Sequence, residues 1–330
     1  MRRLGMFVLI ALVATGAVLA EGQGESGGGY PRGALDFVAP GGAGGGWDLT
    51  IRTTANVLAD SGLVEVPMPV RNNPGAGGSV HLASLQERPD ADNIISVYSP
   101  PLILTQLAGT SEFGYQDVTP LARLIADYAV YVVRDDSPYE TLVDVMEALE
   151  GDIKSVKIGG TSSAGSMDHL QFLIMARAAG IGDLREIDYV SFDDGGSAMV
   201  MGGHIDIFST GLSEVRGLIE SGDLRALAQS APHRVGDGIV SRIPTAIEQG
   251  IDATFVNWRG LFGPPAMPDY AVEYWRETLA AMVQTPEWDA ARLTNGWDDA
   301  YMDGPEFGTF LAEVDTEYRT ILAEIGMLAN

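Results

Sequence analysis

The stretch Leu35-Asp-Phe-Val-Ala-Pro-Gly-Gly-Ala-Gly-Gly-Gly-Trp-Asp48 sets an apolar strand against five glycines and then opens onto a helix. Gly41, Gly42, Gly44, Gly45 and Gly46 permit positive φ and close backbone approach, and the helix that follows offers unpaired N–H groups at the positive end of its dipole. The stretch reads as an anion-binding loop, with a flexible connector as the alternative. A second loop of the same composition, Asn72-Asn-Pro-Gly-Ala-Gly-Gly-Ser79, follows the apolar run Val64 to Val70. Repetition of the device at strand ends favours a site over slack.

Nucleotide readings fail on spacing. A dinucleotide fingerprint begun at Gly42 requires glycine at Trp47, and one begun at Gly75 requires glycine at Val80. The Walker pattern requires lysine after its last glycine, where this chain has Trp47. What remains is a neutral cradle of backbone donors, suited to a carboxylate more than to a polyphosphate.

Working outward, the first twenty residues read as a signal peptide: Arg2 and Arg3, an apolar run from Met6 to Leu19, and Val18-Leu-Ala20 as the cleavage site. A retained membrane anchor is the competing reading. No cysteine is present for lipidation or a disulfide, so the expectation is a free exported protein. The chain has 20 basic and 45 acidic residues; without Arg2 and Arg3 the balance is 18 against 45, or −27. That charge excludes nucleic acid as a partner. It does not exclude an anionic ligand, because several hydrogen bonds to one carboxylate, each worth roughly 1.5–3 kcal/mol, outweigh a diffuse field.

Short β-rich runs alternate with helical ones, the signature of α/β layers. Strands are predicted at Ala34 to Val38, Val66 to Val70, Ile94 to Tyr98, Ala129 to Val133, Lys157 to Gly159, Ile187 to Tyr189, Ile205 to Ser209 and Arg225 to Gln229. Helices are predicted at Leu49 to Ala59, Ser79 to Gln86, Leu142 to Glu150, Met167 to Ala179, Ser197 to Met201 and Gly211 to Ser221, the first opened by Asp48 near its N-cap and closed by Gly62. Val272, Trp275, Leu279 and Met282 share one helical face, and Phe307, Leu311, Val314, Tyr318, Ile321, Leu322 and Ile325 another. These stripes are read as core that completes the first domain, which requires two chain crossings, near Asp127 to Val130 and Gln229 to His233. The division is then 1–20 signal peptide, 21–30 disordered leader, 31–128 with 232–330 as domain 1, and 129–231 as domain 2.

The second domain carries its own loop, Gly159-Gly-Thr-Ser-Ser-Ala-Gly-Ser-Met-Asp-His-Leu170, where Thr161, Ser162, Ser163 and Ser166 add hydroxyls to the backbone amides. It is read either as a donor loop or as an ordinary capped helix start. In Ser191-Phe-Asp-Asp-Gly-Gly-Ser197, Asp193 or Asp194 holds a ligand ammonium or hydroxyl, or caps the next helix. Trp47, Tyr98, Phe192 and Trp258 line a cleft or are simply packed. No nucleophile elbow surrounds Ser162 and Ser163, and His81, His169, His204 and His233 lack zinc spacing. A hydrolase using Ser163 or Ser166 with His169 is the rival from the enzyme class.

Taken together and in order, Pro40 to Asp48, Asn73-Pro-Gly-Ala-Gly-Gly78, Gly160 to His169, Phe192-Asp-Asp-Gly-Gly196, Gly202-Gly-His-Ile-Asp206 and Trp258-Arg-Gly-Leu-Phe-Gly-Pro-Pro265 resemble the solute-binding receptors of tripartite tricarboxylate transporters, the Bug proteins. The resemblance implies a type II periplasmic-binding fold: two α/β domains joined by a two-strand hinge, with the ligand in the cleft. It implies a monomeric periplasmic receptor that binds a tri- or dicarboxylate such as citrate, uses no cofactor or metal, performs no chemistry and serves integral-membrane permease subunits. Sensing of an acidic amino acid or an aromatic acid is the alternative within that class. The ligand residues so implied are Gly42, Gly44, Gly45, Gly46, Trp47, Asp48, Asn73, Gly75, Gly77, Ser99, Thr161, Ser162, Ser163, Ser166, His169, Asp193, Asp194 and Gly195. Asp48 falls where the family orders a bridging water or a polar ligand group. Two departures stand out: Asp90-Ala-Asp-Asn-Ile94 replaces an Asp-Gly-Tyr-Thr turn, and Met167-Asp168 replaces Ser-Pro before the histidine, where Asp168 opposes a second ligand carboxylate.

Overall fold

The computed structural model describes residues 29–192 and 195–329. The expected signal peptide, the leader up to residue 28, Asp193 and Asp194 lie outside them. In chain order the elements are β1 (Asp36–Ala39), α1 (Gly46–Asp60), β2 (Val70–Asn72), α2 (Ser79–Gln86), β3 (Ile94–Tyr98), α3 (Pro101–Leu107), β4 (Thr119–Arg134), α4 (Leu142–Gly151), β5 (Lys157–Gly160), α5 (Met167–Ala178), β6 (Asp188–Ser191), α6 (Gly196–Met201), β7 (Ile207–Gly211), α7 (Leu212–Ser221), β8 (Leu224–Gln229), β9 (Val256–Gly263), α8 (Asp269–Met282), α9 (Pro286–Asn295), β10 (Asp298–Asp303) and α10 (Gly304–Glu324).

The strands follow the order β2-β1-β3-β9-β4-β7-β5-β6, with β8 and β10 also paired to β4. β1 is parallel to β2 and β3, and β5 is parallel to β6 and β7. β4 joins the two parallel groups. It runs antiparallel to β9 from Thr119 to Tyr128, then antiparallel to β7 and β8 from Ala129 to Arg134. One long strand therefore serves two lobes, and its partners change between Tyr128 and Ala129.

Each lobe buries helices against its share of the sheet. In the first, Ile51, Ala55 and Leu58 of α1 meet a cluster containing Trp275, Leu279 and Met282 of α8. In the second, Phe208 of β7 packs with Leu212, Val215 and Ile219 of α7. A third cluster runs from Leu170, Phe172 and Leu173 of α5 to Phe307, Leu311 and Leu322 of α10. Both C-terminal stripes are thus core, as their periodicity predicts, and each such side chain contributes roughly 1.5–3 kcal/mol by its burial.

Differences from the expected elements have local causes. The strand predicted at Val66 to Val70 forms only at Val70–Asn72, because Pro67 and Pro69 have no N–H to give; their carbonyls instead accept from Leu35 at 2.9 Å and Phe37 at 3.2 Å. The strand predicted at Ala129 to Val133 is the second part of β4, whose first part is buried on both faces and lacks alternation. β9, β10, α3 and α9 carried no recognised signal; β10 reads Asp-Asp-Ala-Tyr-Met-Asp, and its pairing comes from β4. α1 begins at Gly46 with Gly45 as N-cap, so Asp48 is its third residue. Gly62, at φ +69°, follows its C-cap Ser61.

Candidate functional site

The carboxyl ends of β1 and β5 open onto the two loops that the sequence singles out, one on each lobe. In the first, Gly42, Gly44 and Gly45 are exposed. Gly44 alone among the five glycines takes a left-handed conformation, φ +81°, and its N–H donates to Asp48 Oδ2 at 2.9 Å. The other Asp48 oxygen accepts from Arg52 Nε at 2.8 Å and Asn72 Nδ2 at 2.9 Å. Asp48 is therefore buried and fully engaged in holding the loop. Trp47 Nε1 donates to Ser99 Oγ at 2.9 Å, and the Trp47 ring lies edge-on to Tyr98 with centroids 5.9 Å apart.

The second glycine loop packs over this aromatic pair. A Cβ on Gly78, at φ +93°, would stand 3.1 Å from Trp47 and 3.2 Å from Tyr98. Asn73 is half-buried and contacts His81 Nδ1 at 3.2 Å, while Gly75 and Gly77 take positive φ in the turn below. The loop shapes the bed on which Trp47 lies. Ser79 Oγ and Tyr98 Oη are buried and unpartnered here.

On the second lobe, Thr161 and Ser163 are exposed, and Ser166 is the buried N-cap of α5. Asp168 Oδ2 accepts from the N–H of Thr161 at 2.8 Å, the N–H of Ser162 at 3.0 Å and the Thr161 hydroxyl at 3.1 Å. Ser162 Oγ accepts the Asp168 N–H at 2.7 Å in return. His169 Nδ1 accepts from Gly165 N–H at 3.0 Å, which assigns the ring proton to Nε2; burial depresses the imidazole to about 4. Its ring stacks on Tyr189 at 4.3 Å, whose hydroxyl donates to Ser162 O at 2.8 Å. Neither Ser163 nor Ser166 is hydrogen-bonded to His169, so no nucleophile–base pair is assembled.

Between the lobes sits an ionic cluster. Arg259 of β9, about 1% exposed, donates from Nη2 to Asp127 Oδ2 at 2.5 Å and from Nη1 to Thr50 Oγ1 at 3.0 Å. Its Nη2 also stands 3.7 Å from Glu214 Oε1 of α7. Asp127 further accepts from Ser213 Oγ at 2.7 Å, and Glu214 from Thr210 Oγ1 at 2.9 Å. The N–H of Gly46 is directed at Glu214. A side chain at Gly46 would run into both Arg259 and Glu214 Oε1. Burial raises the carboxyls of Asp127 and Glu214 above the ordinary range, with Arg259 pulling them back.

The neutral cradle expected from the sequence is thus corrected. The donors of Gly44, Gly46, Thr161 and Ser162 face the chain's own Asp48, Glu214 and Asp168. Sequence reasoning missed Asp127, Glu214 and Arg259. A signal existed: Arg259 is the lone charge of β9 and Asp127 stands alone within the apolar run Leu124 to Val133 of β4, and a charge so placed requires a partner. Of the aromatic residues with two readings, Trp258 is fully buried among Phe262, Phe307 and Phe310. Tyr98 is buried, Trp47 and Phe192 are partly so, and Gly195 is the exposed N-cap of α6.

Two α/β lobes sharing one long strand, each with a polar loop at the carboxyl end of a parallel strand and with Arg259, Asp127 and Glu214 bridging them, have the architecture of a two-lobed binding protein. Residues 53–327 match the tripartite tricarboxylate transporter family receptor, TctC, and the chain belongs to that family. A UPF0065 protein of Bordetella pertussis is 22% identical over 324 residues, covering 97% of this chain and 98% of that protein. Among solved structures, R. palustris Rpa4515 with adipate matches with a TM-score of 0.80 at 19% identity, over 90% of this chain and 99% of that one. MatC from Rhodopseudomonas palustris with bound malate matches with a TM-score of 0.73 at 20% identity, over 90% and 100%. These structures share the fold. The family consists of periplasmic solute-binding receptors, not enzymes.

Proposed function

We propose that the protein captures a small carboxylate by closing its two lobes and delivers the closed form to a tripartite tricarboxylate transporter permease. The observation that carries this reading is the placement of two polar loops at the carboxyl ends of β1 and β5, on different lobes, with Glu214 on α7 of the second lobe facing Gly46 of the first. A ligand gripped by both loops has its full set of bonds only in the closed state, and that differential affinity couples binding to closure. The adipate and malate bound to the structural neighbours support an aliphatic acid. Domain limits at 31–128 with 232–330 and at 129–231 belong to the proposal, supported by the change of β4 partners after Tyr128. So do export with cleavage near Ala20, a monomeric state and the ligand roles of the exposed Gly42, Gly45, Thr161 and Ser163. Affinity about micromolar is expected, near −8 kcal/mol.

The test is a thermal-shift screen of residues 21–330 against di- and tricarboxylates, aromatic acids, amino acids and neutral sugars. A shift of several degrees confined to acids supports the receptor, because ligand binding stabilises the native state by mass action. A shift with sugars alone, or with none of the panel after unfolding and refolding to strip bound ligand, would sink it.

A further inference from the structure

The sheet ends at β2, which pairs with β1 and packs against α1. A strand at a sheet edge carries unpaired backbone groups and is commonly blunted by proline, with the missing N–H turned to solvent. Here the prolines are turned the other way. The carbonyls of Pro67 and Pro69 accept from Leu35 and Phe37, so the two missing donors lie on the inner side. Phe37 is in register with Val70, and in a parallel pair a residue bonds to the neighbours of its opposite number. The N–H and C=O of Val70 therefore point away from β1, and with a period of two those of Met68 do the same. The backbone of Met68 makes no hydrogen bond among the described residues. The outer edge thus keeps its donors and acceptors.

A groove of about 790 Å³ runs along this edge, with Ala55, Asn56 and Ala59 of α1 on one side and Val66, Met68 and Val70 on the other. The two alanines leave room for the side chains that an added strand would turn toward the helix. Charge in the groove is one-sided. Arg52 is already held by Asp48 at 2.8 Å and by Asn72 at 3.0 Å. Glu65 in the wall, and Asp60 one turn along α1 from Asn56, are exposed and without an ion-pair or hydrogen-bond partner among the described residues. Both stand near the carboxyl end of α1, where the helix dipole is itself negative.

We propose that this edge docks an extended peptide segment of a partner protein, apolar at alternate positions and carrying Lys or Arg, which adds a strand beside β2. Its main chain bonds to Met68 and Val70, its apolar side chains enter the groove, and its cation meets Glu65 and Asp60. A second copy of this chain is a poor occupant, since each copy has a net charge of −25. The site goes beyond the receptor reading, because filling it requires no ligand in the cleft.

The test is fluorescence anisotropy of two labelled peptides with residues 21–330 at low salt: Lys-Val-Thr-Val-Thr-Val-Lys and its charge-reversed form Glu-Val-Thr-Val-Thr-Val-Glu. The basic peptide should bind about fivefold or more tighter, and added salt should narrow the gap. Met68→Pro removes an N–H that the fold does not use, and should weaken the basic peptide about tenfold or more. Met68→Ala loses the same side chain but keeps the N–H, and should retain most of the binding. Glu65→Lys should abolish the preference between the peptides. Equal affinity for both peptides, binding of neither, or equal losses in Met68→Pro and Met68→Ala overturns the proposal. A dimer in sedimentation that Met68→Pro dissolves also overturns it, by placing a second copy on the edge. None of these titrations uses an acid ligand, so their failure leaves the outcome of the carboxylate screen untouched.

Discussion

The carboxylate of Glu214, on α7 of the second lobe, faces the N–H of Gly46 at the first turn of α1 on the first. The protein thus places one of its own anions at the helix start that the sequence marks for a ligand, and the contact draws the lobes together. Glu214→Ala should shift the unliganded protein toward an open form, seen as a larger radius of gyration in solution scattering. A hydrogen bond to a charged group is worth roughly 1.5–3 kcal/mol, so affinity for the preferred acid should fall roughly ten- to a hundredfold. An unchanged radius together with unchanged affinity would show that this contact does not hold the lobes.

Arg259 and Asp127 form the buried pair behind that contact, at 2.5 Å. Arg259→Met should destabilise the protein by about 3–5 kcal/mol, because it leaves Asp127 charged and unpaired in the core. Adding Asp127→Asn should restore part of the loss. Urea unfolding of the single and double variants measures the coupling, and additive losses would mean that the pair is not an energetic unit.

Much of this fold is legible in the sequence, and its failures have a common origin. Ile94 to Tyr98 and Ser79 to Gln86 are found at the predicted limits, because their apolar runs are bounded by turn residues. β10 is invisible in isolation, since Asp298 and Asp303 have low strand preference and are paired by β4 from far along the chain. The site shows the same contrast. The glycine and serine loops announce themselves locally, whereas Arg259 reaches Thr50, Asp127 and Glu214 only after folding. The role expected for Asp48 is altered by the same tertiary context, because Gly44, Arg52 and Asn72 occupy its oxygens.

Asp48→Ala removes the acceptor for those three donors. It should cost about 1–3 kcal/mol of stability, because the half-buried Asn72 amide, the Gly44 N–H and the Arg52 guanidinium lose their charged acceptor, and weaken ligand binding by loosening the first loop. Asp48→Asn keeps part of the acceptor capacity and should lie between Ala and the native residue in both measurements. Thermal unfolding with and without ligand reads both effects. Lost affinity with no change in stability would instead mark Asp48 as a direct ligand contact.

Asp168 gives the unliganded protein a pH dependence whose sign is fixed by burial. Its carboxyl keeps its proton to about 7 in the native state but releases it near 3.8 when unfolded, so the native state holds the extra proton between those values. Stability from this group is therefore full below about pH 4 and is lost as pH rises toward 7. His81 and His169 act oppositely: burial lowers both to about 4, so the stability they carry is present above their unfolded value of 6.5 and is lost as pH falls toward 4. Asp168→Asn deletes the falling contribution, while its amide oxygen still accepts from Thr161 and Ser162. Its stability relative to the native protein should therefore improve steadily from pH 4.5 to 7.5, by ~4 kcal/mol at most. Urea midpoints of the two proteins at pH 4.5, 6 and 7.5 measure this; parallel curves would show that Asp168 is already ionised at low pH and that a donor meets its second oxygen.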